Sequence, residues 1–295
     1  MNVLYISDLD GTLLNNESSL SDFSESALRE LLAAGLPFSV ASARSVHSMR
    51  KMLKGLPLTL PVVEFNGAFV TDLETGRHEV INALEPAVAD ESYRFILRSG
   101  FSPFVSTFNG REDCVHYRDV TNEGMAWYVD DRVRHEDPRM RRTSDMAAAL
   151  RESVVCITAI GRSEELAEVE SALGERFRGQ VELHLMENQY ARGWHWLTIH
   201  DHRATKDRGV RTLMDLCGIS DRELVVFGDH VNDIHIFRTA AHAVAVANAM
   251  PELKRHATQI IGSNEEDSVA RFIREHWSGV VGVAGRAQRE GEGNP

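Results

Sequence analysis

The stretch Asp8-Leu9-Asp10-Gly11-Thr12 constrains this chain more than any other, because it closes the first apolar run. Val3, Leu4, Tyr5 and Ile6 read as a short, buried parallel strand. Residues i and i+2 of a strand share a face, and Gly11 signals that the chain is already turning. Asp8 and Asp10 would therefore stand together at the carboxyl end of the strand, where open α/β sheets bind ligands. Two acids this close repel each other unless a cation lies between them or one holds a proton. A hard divalent cation such as Mg²⁺ meets that demand and keeps positions open for phosphate. A carboxylate can also attack phosphorus and form an aspartyl-phosphate. The plain alternative is a polar turn, since Asp and Gly are common turn formers. The rest of the chain weighs against it.

Around that turn the pattern is strand, helix, strand, helix, strand, which predicts a parallel α/β sheet. Ser21 and Asp22 are cap candidates for a helix over about 23–34, which Gly35 would stop. Pro37–Ala41 and Pro61–Phe65 read as the next two strands, with a helix from about Ser45 between them and the turn Asn66-Gly67 after them. From about Leu84 the texture changes to a self-contained α+β module of ordinary domain size. It has predicted helices over 85–97, 121–133 and 163–177, predicted strands over 101–107, 113–117, 154–160, 181–186 and 194–200, and a charged connector over 135–144. The first texture returns at Lys206, with a predicted helix over about 208–217, a buried strand Leu224–Phe227 and the acidic run Gly228-Asp229-His230-Val231-Asn232-Asp233. The domain reading is a discontinuous core, 1–83 with 203–278, an insert over 84–202, and a disordered tail over 279–295.

Composition narrows the partners. The chain of 295 residues carries 32 basic and 44 acidic side chains, a net charge of −12. That balance disfavours nucleic acid or an anionic membrane but admits a small phosphorylated substrate held by a metal and a few local cations. Cys114, Cys156 and Cys217 show neither zinc spacing nor a disulfide framework, and Asp8 interrupts any secretory signal pattern. No apolar run reaches membrane-spanning length. The expectation is a cytoplasmic protein, monomer or homodimer, that binds neither nucleic acid nor membrane.

Three polar clusters fall at the carboxyl ends of predicted parallel strands: Asp8/Asp10/Thr12, Ser42 with Arg44, and Asp229/Asn232/Asp233. Lys206 reaches them from a helix start. Phosphoryl transfer by a carboxylate needs a nucleophile, a second acid for the leaving oxygen, a metal held by carboxylates, and donors around the phosphoryl oxygens. These residues supply each part, although the residues alone leave open which of Asp8 and Asp10 attacks.

Asp-Leu-Asp-Gly-Thr at 8–12 and Gly-Asp-x-x-Asn-Asp at 228–233 resemble two motifs of the haloacid dehalogenase (HAD) superfamily. The insert after the third strand resembles that of the C2-capped, Cof-like sugar-phosphate phosphatases (subfamily IIB), as do Asn66-Gly67-Ala68 and Ala247-Asn248-Ala249. The resemblance implies a Rossmann-like α/β core with an inserted α+β cap that sets specificity, acting as a Mg²⁺-dependent phosphatase on small phosphorylated metabolites, sugar phosphates above all. It implies that Asp8 is the nucleophile and Asp10 the general acid, then base. Lys206 would stabilise the phosphoryl charge, and Thr12, Ser42, Ala43, Arg44 and Asn232 would bind the phosphoryl group. Mg²⁺ would lie among Asp8, Asp10 (through its backbone carbonyl), Asp229 and Asp233.

The chain departs from the family at Ala43, where glycine is usual and positive φ is easier, and at Asp207, read as a helix cap rather than a second charge at the phosphate. Val246-Ala247 replaces the usual Met-Gly and is read as packing. His195, His200 and His202 beside Trp194 and Trp196 read as a half-buried surface rather than a metal site, and His230 as a loop residue. Arg111, His116, Tyr117, Tyr190 and Arg192 are sugar-reading candidates in the insert. The competing readings are a sugar-phosphate mutase of the same superfamily and an idle phosphate-binding protein.

Overall fold

A computed structural model describes residues 3–53, 55–188 and 191–277. The predicted tail over 279–295 and Tyr190 lie outside the described residues. The chain divides into two compact units, 1–79 with 206–295, and 80–205.

The chain opens with β1 (Val3–Ser7), α1 (Asp22–Ala33), β2 (Phe38–Val40), α2 (Val46–Met52), β3 (Val62–Glu64), β4 (Phe69–Thr71) and β5 (His78–Ile81). The second unit contributes α3 (Pro86–Arg98), β6 (Phe104–Phe108), β7 (Asp113–Tyr117), α4 (Glu123–Arg134), β8 (Met140–Arg142), α5 (Met146–Ala149), β9 (Ser153–Gly161), α6 (Ser163–Arg176), β10 (Val181–Glu187) and β11 (His195–Asp201). The first unit then resumes with α7 (Lys206–Leu216), β12 (Glu223–Gly228), α8 (Ile234–Phe237), β13 (His242–Ala245), α9 (Pro251–Lys254) and β14 (Gln259–Ile260). A last helix, α10, covers 268–277.

The first unit is built on a parallel sheet of order β14-β13-β12-β1-β2. A parallel bridge from Ala41 to Val63 carries it on to β3. β1 and β12 are central and buried on both faces, hence their continuous apolar runs. Leu4, Tyr5, Val225 and Phe227 are fully buried, and each such side chain contributes about 1.5–3 kcal/mol relative to exposure. Their register pairs Ser7 with Phe227, so the chain leaves both strands at the same level and the two acidic motifs emerge side by side. Ser21 and Ser45 cap α1 and α2 by accepting hydrogen bonds from the amides of Ser24 and Ser48.

The second unit is a six-stranded sheet of order β10-β11-β9-β6-β7-β8, antiparallel except for the pair β7–β8. Ala89, Ile96, Leu166 and Leu173 from α3 and α6 belong to one cluster on it, and Met125 of α4 packs with Phe104 and Trp196 in another. The fold class is the expected one, mixed α/β with a parallel core sheet.

Three local expectations are corrected. The charged connector over 135–144 contains β8, which pairs in parallel with the β7 edge from Val115↔Met140 to Tyr117↔Arg142; its charge is absorbed where Arg139 is buried against Asp137. The hairpin strands β4 and β5 went unread because they are short and follow a left-handed turn. Helix α7 begins at Lys206, so Asp207 sits in its first turn and not at its cap, with one carboxylate oxygen buried and without a hydrogen-bond partner. Among the described residues no helix is long and apolar enough to cross a membrane.

Candidate active site

The acidic loop after β1 turns at Gly11, whose φ is +68°. A Cβ there would run into the Asp229 carboxylate, so glycine is required both for the backbone conformation and for space. The Asp8 amide donates to the Phe227 carbonyl (3.0 Å), which ties the nucleophile candidate to the strand that carries Asp229. Thr12 Oγ1 donates to Asp229 Oδ1 at 3.2 Å. Asn248 Nδ2 donates to the Gly11 carbonyl at 2.7 Å, fixing the loop from the β13 side.

Lys206 projects from the first residue of α7 into this space, with its side chain 1% exposed. Its ammonium donates to Asp8 Oδ1 and to Asp233 Oδ1, both at 2.7 Å. Asp233 Oδ2 accepts from the amides of Asp229 (3.2 Å) and His230 (3.3 Å). Carboxylate oxygens of Asp8, Asp229 and Asp233 lie within 4.8 Å of one another. Three acids thus share one lysine.

The titration of these groups follows from that imbalance. Burial pushes the Asp8 carboxyl well above the usual carboxylate range; Lys206 opposes the shift, while Asp233 and Asp229 add to it. Burial, then Asp233, pushes Asp229 up to about 7. Burial works against the Lys206 charge, yet Asp233 and Asp8 hold its ammonium above its ordinary value. Burial lowers the His230 imidazole.

The donor set suits a hard divalent cation, being oxygen only and carrying negative charge in excess. Both oxygens of Asp233 are engaged by Lys206 and by two amides, which makes it a supporting residue. The oxygens open to an ion belong to Asp8 and Asp229.

Arg44 holds Asp10 in a fork, with Nε to Oδ2 at 2.5 Å and Nη2 to Oδ1 at 2.6 Å. Nη1 of Arg44 donates to Ser48 Oγ at 3.1 Å. Ser42 is buried, and its Oγ accepts from the Arg44 amide at 3.2 Å. Ala43 is exposed and is not among the positive-φ residues, so its Cβ adds no strain and the missing glycine has no backbone consequence. Asn232 Nδ2 donates to Asn66 Oδ1 at 3.0 Å, while Asn232 Oδ1 is buried without a hydrogen-bond partner.

Sequence reasoning assigned no role to Asn66 or Asn248, although both lie in stretches that carried the resemblance. Phe65, Asn66 and Gly67 have φ of +48°, +54° and +111°, and a left-handed phenylalanine is a costly conformation. The signal available in the sequence was a polar Asn-Gly at a strand end; the strain was not visible.

In the second unit, His195 and His200 stand on opposite faces of β11, because five residues separate them on a strand. His200 is buried beside the Val155 carbonyl, and burial lowers its imidazole to about 4. Those histidines form no cluster. His116 faces Glu152, whereas Arg111 is exposed.

A family model described as haloacid dehalogenase-like hydrolase matches residues 5–273. The chain is 25% identical to the 5-amino-6-(5-phospho-D-ribitylamino)uracil phosphatase YitU of Bacillus subtilis over 276 residues, covering 92% of this chain and 96% of that protein. It is 27% identical to the pyridoxal phosphate phosphatase YbhA of Escherichia coli over 293 residues, covering 91% and 96%. Among solved structures, a haloacid dehalogenase-like hydrolase from Bacteroides thetaiotaomicron superposes with a TM-score of 0.75 at 22% identity, covering 93% of this chain and 99% of that one.

Proposed function

The chain belongs to the haloacid dehalogenase-like hydrolases and is a phosphoric monoester hydrolase like its relatives; on that premise we propose that it is a Mg²⁺-dependent phosphatase of small phosphorylated metabolites, sugar phosphates in particular, working through phospho-Asp8. The observation that carries this reading is Lys206 bridging Asp8 and Asp233 at 2.7 Å each, with Asp229 beside them. The sugar-phosphate preference is supported by the relative whose substrate carries a phosphorylated ribityl chain. The domain roles proposed with it are a discontinuous catalytic core and an inserted specificity cap, in a cytoplasmic protein.

Asp8 attacks phosphorus, the ester P–O bond breaks, and the leaving oxygen takes a proton from Asp10. Asp10 then accepts a proton from water, which attacks phospho-Asp8 and releases phosphate. Both Asp10 oxygens are engaged by Arg44, so proton donation requires Asp10 to leave that pair. An incoming phosphoryl group is itself a forked partner for guanidinium and competes for Arg44. Lys206 and the Ser42 hydroxyl would hold phosphoryl oxygens. Bound Mg²⁺, held by Asp8, Asp229 and the Asp10 carbonyl, would neutralise charge on the phosphoryl oxygens.

The test is inorganic phosphate release from a panel of sugar and other metabolite phosphates by EDTA-stripped protein, with and without Mg²⁺. Release restored by Mg²⁺ and concentrated on sugar phosphates is expected. Release that ignores EDTA sinks the metal, and phosphate returned to the sugar without net release turns the reading into a mutase.

A second expectation concerns pH. The folded-state carboxyl of Asp229 is raised to about 7 from 3.8, so its stabilising contribution is full below the ordinary carboxylate range and is lost as pH rises through about 7. Metal-free protein should therefore lose melting temperature between pH 5 and pH 8, Asp229→Asn should lose less, and Mg²⁺ should restore the wild type at pH 8. An equal slope in both proteins would show that Asp229 is not the group responsible.

A further inference from the structure

Cys114 and His116 are two residues apart on β7 and so share one face of the second unit's sheet. Thr107 stands directly opposite Cys114 on β6, and Glu152 lies just before β9. Ligand atoms of Cys114, His116 and Glu152 all lie within 4.8 Å of one another. The cluster is largely shielded, with Cys114 4% exposed and the side chains of His116 and Glu152 12% and 24% exposed.

Thr107 and Asn109 each donate a hydrogen bond to one of the three side chains. Glu152 Oε2 accepts from the Thr107 hydroxyl and lies 3.0 Å from His116 Nε2. Nε2 is the His116 nitrogen that faces Glu152, so Nε2 is the atom that would ligate beside it; Nδ1 would then carry the hydrogen, and it is buried with no hydrogen-bond partner. Asn109 Nδ2 donates to Cys114 Sγ at 3.7 Å, a contact that strengthens once the sulfur is a thiolate.

We propose that Cys114, His116 and Glu152 form a transition-metal site in the second unit, taking a borderline ion of the Zn²⁺ class. One thiolate, one imidazole and one carboxylate suit such an ion and do not suit Mg²⁺, which takes oxygen ligands. Binding releases the Cys114 thiol proton to solvent and forms the sulfur–metal bond, with no change of oxidation state. Three protein ligands leave a fourth position for water. The acidic cluster around Asp8 has no sulfur, so the two sites are distinguishable by spectroscopy.

The probe is Co²⁺, added to the full chain in excess Mg²⁺, which competes for the acidic cluster. The expected result is a thiolate-to-cobalt charge-transfer band saturating at one equivalent, displaced by Zn²⁺, present in Asp8→Asn and absent in Cys114→Ser. Thr107→Val keeps all three ligands and removes only a donor to Glu152; it should weaken binding about 10–100-fold, so the proposal is tested even if the cysteine variant folds poorly. No band in the wild type, or the same affinity in Thr107→Val and a band surviving in Cys114→Ser, overturns the site. In that event Glu152 and His116 are only a buried hydrogen-bonded pair.

Discussion

Asp8→Asn should lower phosphate release by about 10⁴-fold or more, since under the proposed mechanism it removes the atom that accepts the phosphoryl group, and loss of a nucleophile is not replaced by its neighbours. The fold should survive. The amide has the shape of the carboxyl, and its oxygen can still accept from Lys206 Nζ, now 2.7 Å from Asp8 Oδ1. The change also removes one of three acids packed within 4.8 Å, so the metal-free variant should melt no lower than the wild type at pH 8. Turnover and melting temperature are measured together, with the mass of the variant checked because deamidation would regenerate Asp8. Activity within tenfold of wild type, at the mass of the asparagine protein, would remove Asp8 from the role of nucleophile. Asp10→Asn serves as the contrast: it keeps the nucleophile and loses both proton transfers, so turnover falls while phosphorylated protein, slow to form and slow to break down, is still detectable, which Asp8→Asn cannot form.

The residues that made the site legible were those whose position the parallel sheet dictates. Asp8 and Asp229 each follow a continuous apolar run, and two adjacent parallel strands in register deliver them to one edge. Lys206 was legible as a cation at a helix start that could reach the acids, and its role came from the resemblance; nothing in its neighbourhood announces that its side chain is buried, at the first turn of an amphipathic helix whose buried residues include Val210, Leu213 and Met214. The Arg44 fork on Asp10 could not be read at all. The resemblance gave Arg44 to the phosphoryl group, and the loop geometry that pairs it with Asp10 depends on Gly11 and on the contact of Ser18 with Arg44. The second unit was legible as a sequence of strands and helices, and its β8 edge was missed because a methionine and two arginines are too short a run to show a period of their own. What pairs them is the exposed edge of β7, a tertiary fact. The same limit hid Cys114, His116 and Glu152, which are separated by 36 residues at the widest contact and meet only because β9 lies beside β6.

Lys206→Met should be the most destabilising single change in the first unit, by about 3–5 kcal/mol, which is the usual cost of removing one partner of a buried ion pair. The methionine fills the same volume, so the loss comes from charge and not from a cavity. It leaves Asp8 and Asp233 buried, with side chains 9% and 1% exposed, and without their shared cation. Turnover should fall as well, by about 10²–10³-fold, since the proposed mechanism uses this positive group against developing phosphoryl charge. The pH dependence separates charge from packing. Lys206 lowers the Asp8 carboxyl against the burial that raises it, so in the variant that carboxyl moves further up. A raised acid is stabilising in its protonated form and loses that contribution as pH rises. The melting deficit of Lys206→Met should therefore be small at pH 5 and large at pH 8. Adding Asp233→Asn should recover part of the stability and none of the turnover, a coupling readable from the double-mutant cycle. A deficit that is the same at both pH values, or that Asp233→Asn deepens, would mean that Lys206 supports the fold by packing and that the three acids do not repel one another as their geometry requires.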